Sequence, residues 1–293
     1  MSDQDKVVIT AALTGAMTRK AHNPGIPYKP EEWAAEVKRC EDAGASVIAV
    51  HFREYETGDP TVDEVVMLET MDAITSSCNC VVNLSTGVSL ETSLEDRKKP
   101  IIHHRPEMAS LNPGSTNFCM VNWNTGEILG DATYANPFKS SLEFAAIMKE
   151  KKIKPEMECF SPAHIENVKW FQEKHDFADT PLHFGFVFGV AGGMQFSELM
   201  LSTCTNLIPH DATWMLVGVG PNCHKVTLAA ATFGGHIRVG LEDNIWLDLH
   251  DKALSQGTWD QVEKAVEISR YVGREPATVE ETRRIFHLRG END

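Results

Sequence analysis

The run His236-Ile237-Arg238-Val239-Gly240-Leu241-Glu242-Asp243 decides how this chain is read. Its first half alternates His236 and Arg238 with the β-branched Ile237 and Val239, as a strand does, and its second half passes through Gly240 into two consecutive carboxylates. Outward from it the same figure recurs: β-rich runs occupy residues 7–11, 46–52, 80–84, 108–111, 155–160, 183–188, 213–219 and 236–241. Helical patterns lie between or after them at residues 30–42, 62–76, 140–151, 164–174, 197–206, 222–233, 259–271 and 279–288. Strand, crossover helix and parallel strand repeated eight times closes most simply into an α/β architecture, a (β/α)8 TIM barrel. The expected organisation is one domain over residues 1–293, with the two last helices closing the barrel. An open doubly wound sheet is the alternative.

Composition narrows the function. The 293 residues suit a barrel of roughly 250 residues with short additions. A formal net charge of -15 without a run of Lys and Arg excludes nucleic acid as the expected partner, since neutralising phosphates takes clustered cations. The first residues, Met-Ser-Asp-Gln-Asp-Lys, lack an apolar signal core, and no stretch has the ~18 apolar residues of a membrane span. The expectation is a cytoplasmic enzyme. Seven cysteines, an odd number without paired spacing, read as free thiols. Cys78 and Cys80 flank the start of a strand, where packing on alternate faces explains them better than metal binding.

In such a barrel the active site lies at the C-terminal ends of the strands. The second run ends in His51-Phe52-Arg53-Glu54, the third in Asn83-Leu84-Ser85-Thr86-Gly87, and the eighth carries Arg238, Glu242 and Asp243. Singly, each has an ordinary structural reading: a rim histidine, an ion pair locking a loop, a solvated turn. Convergence on one face argues for a site, but it does not name a reaction. The loop Gly218-Val219-Gly220-Pro221-Asn222 lies where barrels often bind phosphate, and Asn222 is placed to cap the next helix.

Five ordered segments carry a resemblance over residues 7–288. They are Ile9-Thr10-Ala11-Ala12-Leu13-Thr14-Gly15-Ala16, Glu41-Asp42-Ala43-Gly44-Ala45, Val82-Asn83-Leu84-Ser85-Thr86-Gly87, Arg105-Pro106-Glu107-Met108-Ala109-Ser110-Leu111-Asn112, and the run from Gly234 to Asp243. On them the chain resembles the β-keto acid cleavage enzymes, the family of 3-keto-5-aminohexanoate cleavage enzyme. The resemblance implies an exchange in which a β-keto acid and acetyl-CoA give acetoacetate and a new acyl-CoA. It implies a divalent metal, usually zinc, held by a His-x-His and a Glu, of which His51 and Glu242 match the second His and the Glu. It also implies Asp243 as the base, Arg238 as its orienting partner, and Ser85 and Ser110 as polarising hydroxyls. Asn83, Thr86, Gly87, Met17 and Glu158 are the expected substrate-binding positions, and a homo-oligomer, commonly a tetramer, is the expected assembly.

Two departures stand out. Ala49 occupies the place of the first histidine and cannot ligate a metal, leaving Glu158 and His236 as conceivable substitutes. Met17 stands where the aminohexanoate enzyme has an acid, so the keto acid is expected to carry a different tail. Met17 beside Trp123, Phe160 or Trp246 would suit an apolar or quaternary-ammonium group, although those rings also read as core. Two other readings remain open at this stage: a lyase or aldolase using the same enolate chemistry without CoA, and a non-catalytic barrel that binds a small molecule.

Overall fold

The structure is a computed structural model that describes residues 5–122 and 125–289. Eight parallel strands close into a barrel. They are β1 (Ile9–Ala12), β2 (Val47–Val50), β3 (Val81–Leu84), β4 (Met108–Leu111), β5 (Lys154–Cys159), β6 (His183–Phe188), β7 (Thr213–Gly218) and β8 (His236–Val239). Around the barrel each strand pairs with the next in sequence, and β8 returns to β1 through Ile237 opposite Ile9 and Arg238 opposite Thr10. Most strand residues are buried on both faces, which is why the runs read as continuous rather than alternating.

The crossover helices are α1 (Pro30–Ala43), α2 (Glu64–Ser77), α3 (Leu94–His104), α4 (Phe138–Glu150), α5 (Pro162–His175), α6 (Glu198–Leu207) and α7 (Cys223–Phe233), followed by α8 (Thr258–Tyr271) and α9 (Val279–Ile285). Their ends follow local chemistry. Asp63 caps α2 by accepting from the amides of Val65 and Val66, and the Glu32 carboxylate accepts the Lys29 amide at the start of α1. Asn222 precedes α7 without making a side-chain cap, because a single 3-10 turn at Gly220–Asn222 already leads the chain into the helix.

Two elements lie outside the alternation read from sequence. Helix α3 is highly charged and contains Pro100, so it lacks a clear apolar stripe. The segments Thr116–Val121 and Ile128–Tyr134 form an antiparallel hairpin between β4 and α4. The Cys119 amide donates to the Ala191 carbonyl at 3.0 Å, which ties the hairpin to the loop after β6.

The N-terminal end of the barrel is shut. Lys6–Val7 pairs with Glu275–Pro276, the Thr282 hydroxyl bonds the Ser46 hydroxyl at 2.7 Å, and the Phe286 ring lies 4.2 Å from His183 and 5.2 Å from His236. His236 therefore sits at the opposite end from Glu242 and cannot substitute for the missing ligand at the mouth. Its Nδ1 accepts the Val8 amide at 3.1 Å, which requires that nitrogen to be unprotonated. Burial, and then Arg274, push the His236 pKa down to about 3; burial and His236 likewise hold His183 well below its usual value.

These neutral imidazoles set an acid limit on stability. As pH falls through 6.5 the unfolded chain takes up protons that folded His236 refuses, so stability is present above 6.5 and lost progressively toward pH 3. Carboxylates contribute to any acid unfolding, so the expected signature is a difference. Between pH 6.5 and 5 the melting temperature of His236→Gln should fall by roughly 3 °C less than that of the wild type. Parallel curves in scanning calorimetry would remove His236 from the acid transition.

Candidate active site

At the other end, β8 delivers its side chains to the mouth through one sharp turn. Gly240 has φ 146°, and a Cβ there would stand 2.1 Å from the Ala12 carbonyl, so only glycine lets the chain double back so close to β1. Behind that turn Glu242 and Asp243 point back toward Arg238, itself on β8. Gly15 supports the same packing from the loop after β1: with φ 57°, it lies against the Glu242 side chain, and a Cβ would come within 2.4 Å of Glu242 Cγ.

Arg238 organises the cluster. Its Nε donates to Asp243 Oδ2 at 2.8 Å and its Nη2 to Asp243 Oδ1 at 3.1 Å, a two-pronged contact. Nη2 also lies 2.5 Å from Glu242 Oε1, and Nη1 lies 3.3 Å from Glu158 Oε1. Burial alone would weaken the guanidinium's charge, but Asp243, Glu242 and Glu158 reverse that and hold its pKa well above the usual value. His51 completes the ring, with Nε2 3.4 Å from Glu242 Oε1. His51 Nδ1 and Glu242 Oε2 are buried and have no hydrogen-bond partner within the described chain.

The three acids respond differently to this cation. Burial pushes Asp243 up, Arg238 opposes it and Glu242 adds to it, leaving Asp243 at about 6. For Glu242 burial is outweighed by Arg238 and His51, which hold it to about 2. Glu158 is raised, by burial first and with Glu242 adding, against the pull of Arg238. Two adjacent carboxylates thus have affinities for protons pushed apart by their surroundings.

Below them lies an acid the sequence did not single out. Glu156, one layer down on β5, accepts from Asn83 Nδ2 at 2.8 Å, and burial followed by Glu158 raises it to about 8. Asn83 is therefore bonded beneath the cavity rather than in its wall. Thr86 and Ser110 also lie behind the wall: the Thr86 amide donates to Ser110 Oγ at 3.1 Å and the Thr86 hydroxyl to the Ser110 carbonyl at 2.9 Å, stitching the loop after β3 to β4. Ser85, Gly87, Met17 and Glu158 do line the cavity, which measures about 360 Å³, together with His51, Arg238, Glu242 and Asp243. Phe160 lines it as well, Trp246 does not, and Trp123 lies outside the described residues.

Arg53 and Tyr134 are further residues that sequence reasoning missed as parts of the site. Fully buried Arg53 donates to the carbonyls of Gly58, Thr14, Gly15 and Thr18, which fixes the loop carrying Gly15 and Met17. Tyr134 closes the hairpin onto the barrel, its hydroxyl accepting from Arg97 and Asn112, both at 3.1 Å.

As for a metal, His51 and Glu242 converge, but Ala49 offers no donor and Glu242 is engaged by Arg238. Among the described residues no group of three or more His, Cys, Asp or Glu side chains is placed to hold an ion. Two donors fall one short of the three protein ligands that catalytic zinc ordinarily has.

The fold and this cluster define a (β/α)8-barrel enzyme with acid–base groups gathered at the C-terminal mouth. Residues 6–288 match the family model described as beta-keto acid cleavage enzyme, and the chain belongs to that family. It is 36% identical over 286 residues to the 3-keto-5-aminohexanoate cleavage enzyme of Fusobacterium nucleatum subsp. nucleatum, covering 97% of this chain and 99% of that one. It is 29% identical over 307 residues to the 3,5-dioxohexanoate:acetyl-CoA acetone transferase of Paraburkholderia graminis, covering 99% and 98%. Among solved structures, the ternary complex of ObcA with a C4-CoA adduct and oxalate has a TM-score of 0.73, covering 90% of this chain and 68% of that one at 19% identity, a likeness of fold.

One consequence is energetic. Replacing Arg238 by Met would leave buried Asp243 and half-buried Glu158 and Glu242 without their guanidinium, at a cost of about 3–5 kcal/mol in a denaturant melt. Adding Asp243→Asn to Arg238→Met should recover part of the loss, and a strictly additive double mutant would show that the pair is not coupled.

Proposed function

We propose that this protein exchanges acyl groups between a β-keto acid and acetyl-CoA, producing acetoacetate and the acyl-CoA of the keto acid's remaining portion. The observation that carries the reading is Asp243, a cavity-lining carboxylate gripped by Arg238 with a proton affinity near pH 6. Such a base is mostly ionised at neutral pH yet strong enough to take a proton from an activated carbon. Family membership and the acetyl-CoA transferase among the relatives support the same chemistry.

In this reading Asp243 removes a proton from the carbon between ketone and carboxylate. Arg238 and an N–H of His51 balance the charge of the resulting enolate, and Ser85 orients the head group from the opposite wall. The enolate carbon attacks the thioester carbonyl, a carbon–carbon bond forms, and CoA thiolate leaves. The thiolate then attacks the original ketone, and the bond from that carbon to the former carbanion breaks. Acyl-CoA and the enolate of acetoacetate result, and Asp243 returns its proton to that enolate. Proton and thiolate balance, and no protein nucleophile is needed.

The divalent metal that the family resemblance implies is not matched by the donor set, so the reading assigns charge stabilisation to the chain's own groups. Glu158 holds Arg238 in place; Asn83, Thr86 and Ser110 hold the wall from behind. We extend the proposal to one catalytic unit over the whole chain, to a cytoplasmic location, consistent with no described helix being able to cross a membrane, and to a homo-oligomer, for which the exposed Leu199, Phe233 and Tyr271 offer apolar surface.

Four measurements test this. Asp243→Asn should lower exchange by about 10²–10⁴-fold and abolish deuterium uptake at the acidic carbon of the keto acid when acetyl-CoA is absent. kcat/KM should fall as pH drops through about 6, because the base form is lost there. Product formed without acetyl-CoA would instead favour the CoA-independent lyase. Elemental analysis should find well under one zinc per chain in the wild type and close to one in Ala49→His; stoichiometric zinc in the wild type would restore the metal to the mechanism.

A further inference from the structure

The cavity has two unlike ends. Its ionisable lining residues, His51, Glu158, Arg238, Glu242 and Asp243, form the ring described above. The rest of the lining is built largely from apolar side chains, among them Leu90, Phe118, Met120, Val187, Val190 and Val219, and contributes no further charge among the described residues. A β-keto acid held with its two carbonyl groups at the charged ring must direct its tail along this wall.

We infer, resting on the exchange reading above, that the tail of the natural β-keto acid is an uncharged hydrocarbon chain. An anionic tail would meet no cation there and would face three carboxylates sharing one guanidinium. A cationic tail would look to Glu158, but Glu158 Oε1 already lies 3.3 Å from Arg238 and Oε2 accepts from Asn112 at 3.4 Å. A quaternary ammonium would need ring faces turned toward it. Phe118, Tyr134 and Phe160 pack edge to face on one another, with centroids 6.3 to 6.4 Å apart and planes inclined by 67° to 80°, and Arg97 already lies over the Tyr134 ring, 4.9 Å from its centroid, so a second cation at these rings would meet a like charge. The volume of about 360 Å³ is at the small end of ligand cavities, which run from ~300 to ~1,000 Å³, and favours a compact tail.

The experiment compares 3-oxo acids that differ only in the tail: alkyl chains of increasing length, phenyl, aminoalkyl, trimethylammonioalkyl and carboxyalkyl. Binding to the full-length protein is measured by calorimetry without acetyl-CoA, and kcat/KM is measured with it. Affinity should rise roughly fourfold per added methylene until the wall is filled, with the gain appearing in KM rather than kcat. Charged tails should bind at least about tenfold more weakly than alkyl tails of equal length. Leu90→Glu should lower affinity for alkyl tails by about tenfold and improve it for aminoalkyl tails; Met120→Glu, on the exposed rim, repeats the test where the fold tolerates charge easily.

Equal or tighter binding of a charged tail overturns the inference and leaves the exchange reading intact if turnover is observed. Preferential binding of alkyl tails with no acetyl-CoA-dependent turnover sinks the exchange reading while the tail assignment stands. No measurable binding of any alkyl acid overturns the tail assignment.

Discussion

The site depends on one buried cation. Arg238 satisfies two oxygens of Asp243 and approaches one each on Glu242 and Glu158, and these contacts span β5, β8 and the loop that follows β8. Ion pairs exposed to water contribute little, but charges gathered inside a barrel mouth are strongly costly when any partner is removed. That asymmetry explains why so much of the backbone around the cluster is tightly determined. Gly240 turns the chain back on Ala12, Gly15 leans on Glu242, and the Gly220 amide donates to the Asp243 carbonyl at 2.9 Å. Each fixes a carboxylate relative to the guanidinium.

The barrel interior is graded from end to end. At the closed end, Phe286 covers two neutral imidazoles. One layer up, Asn83 bonds a Glu156 whose raised proton affinity keeps it largely uncharged at neutral pH. Ionised carboxylates appear only in the top layer, where Arg238 and the cavity are. Because burial is the largest influence on all four acids, the one cation decides which of them ionise, and at Glu156 its pull is outweighed by burial and Glu158.

The eight strands were legible because buried parallel strands leave continuous apolar runs, and the position of His51, Arg238, Glu242 and Asp243 followed from the rule that such strands end at the active face. Helix α3 was illegible for the opposite reason: with Arg97, Lys98 and Pro100 among its buried residues, it carries no apolar stripe. The hairpin of Phe118 and Tyr134 belongs to no repeat of the barrel, so the alternation gives no signal for it. Neighbourhood also misleads in one dimension. Ser85 and Thr86 are adjacent in sequence, yet the first lines the cavity and the second is bonded away behind Ser110. His236 and Arg238 alternate on one strand, and both face inward, but two residues' rise along β8 separates the sealed floor from the chemical mouth.

The charge balance then bears on how the site can work at all. Three carboxylates around one guanidinium leave negative charge that must be met by protons or by the ligand, and Ala49, opposite Ala12 and Asn83 in the barrel register, adds no donor through which a metal could meet it. With Glu242 held ionised by Arg238 and His51 against its burial, Asp243 and Glu158 are both shifted upward. A carboxylate in that condition both accepts a proton from a carbon acid and returns it at little cost, which a strictly reversible exchange requires of a single base. The same arrangement makes the substrate's own anionic carboxylate a poor fit unless Glu158 takes up a proton as it binds, which leaves Asp243 ionised as the base. Proton uptake and head-group binding are therefore coupled through Arg238, while the apolar wall, carrying no charge, adds affinity for the tail without disturbing the balance.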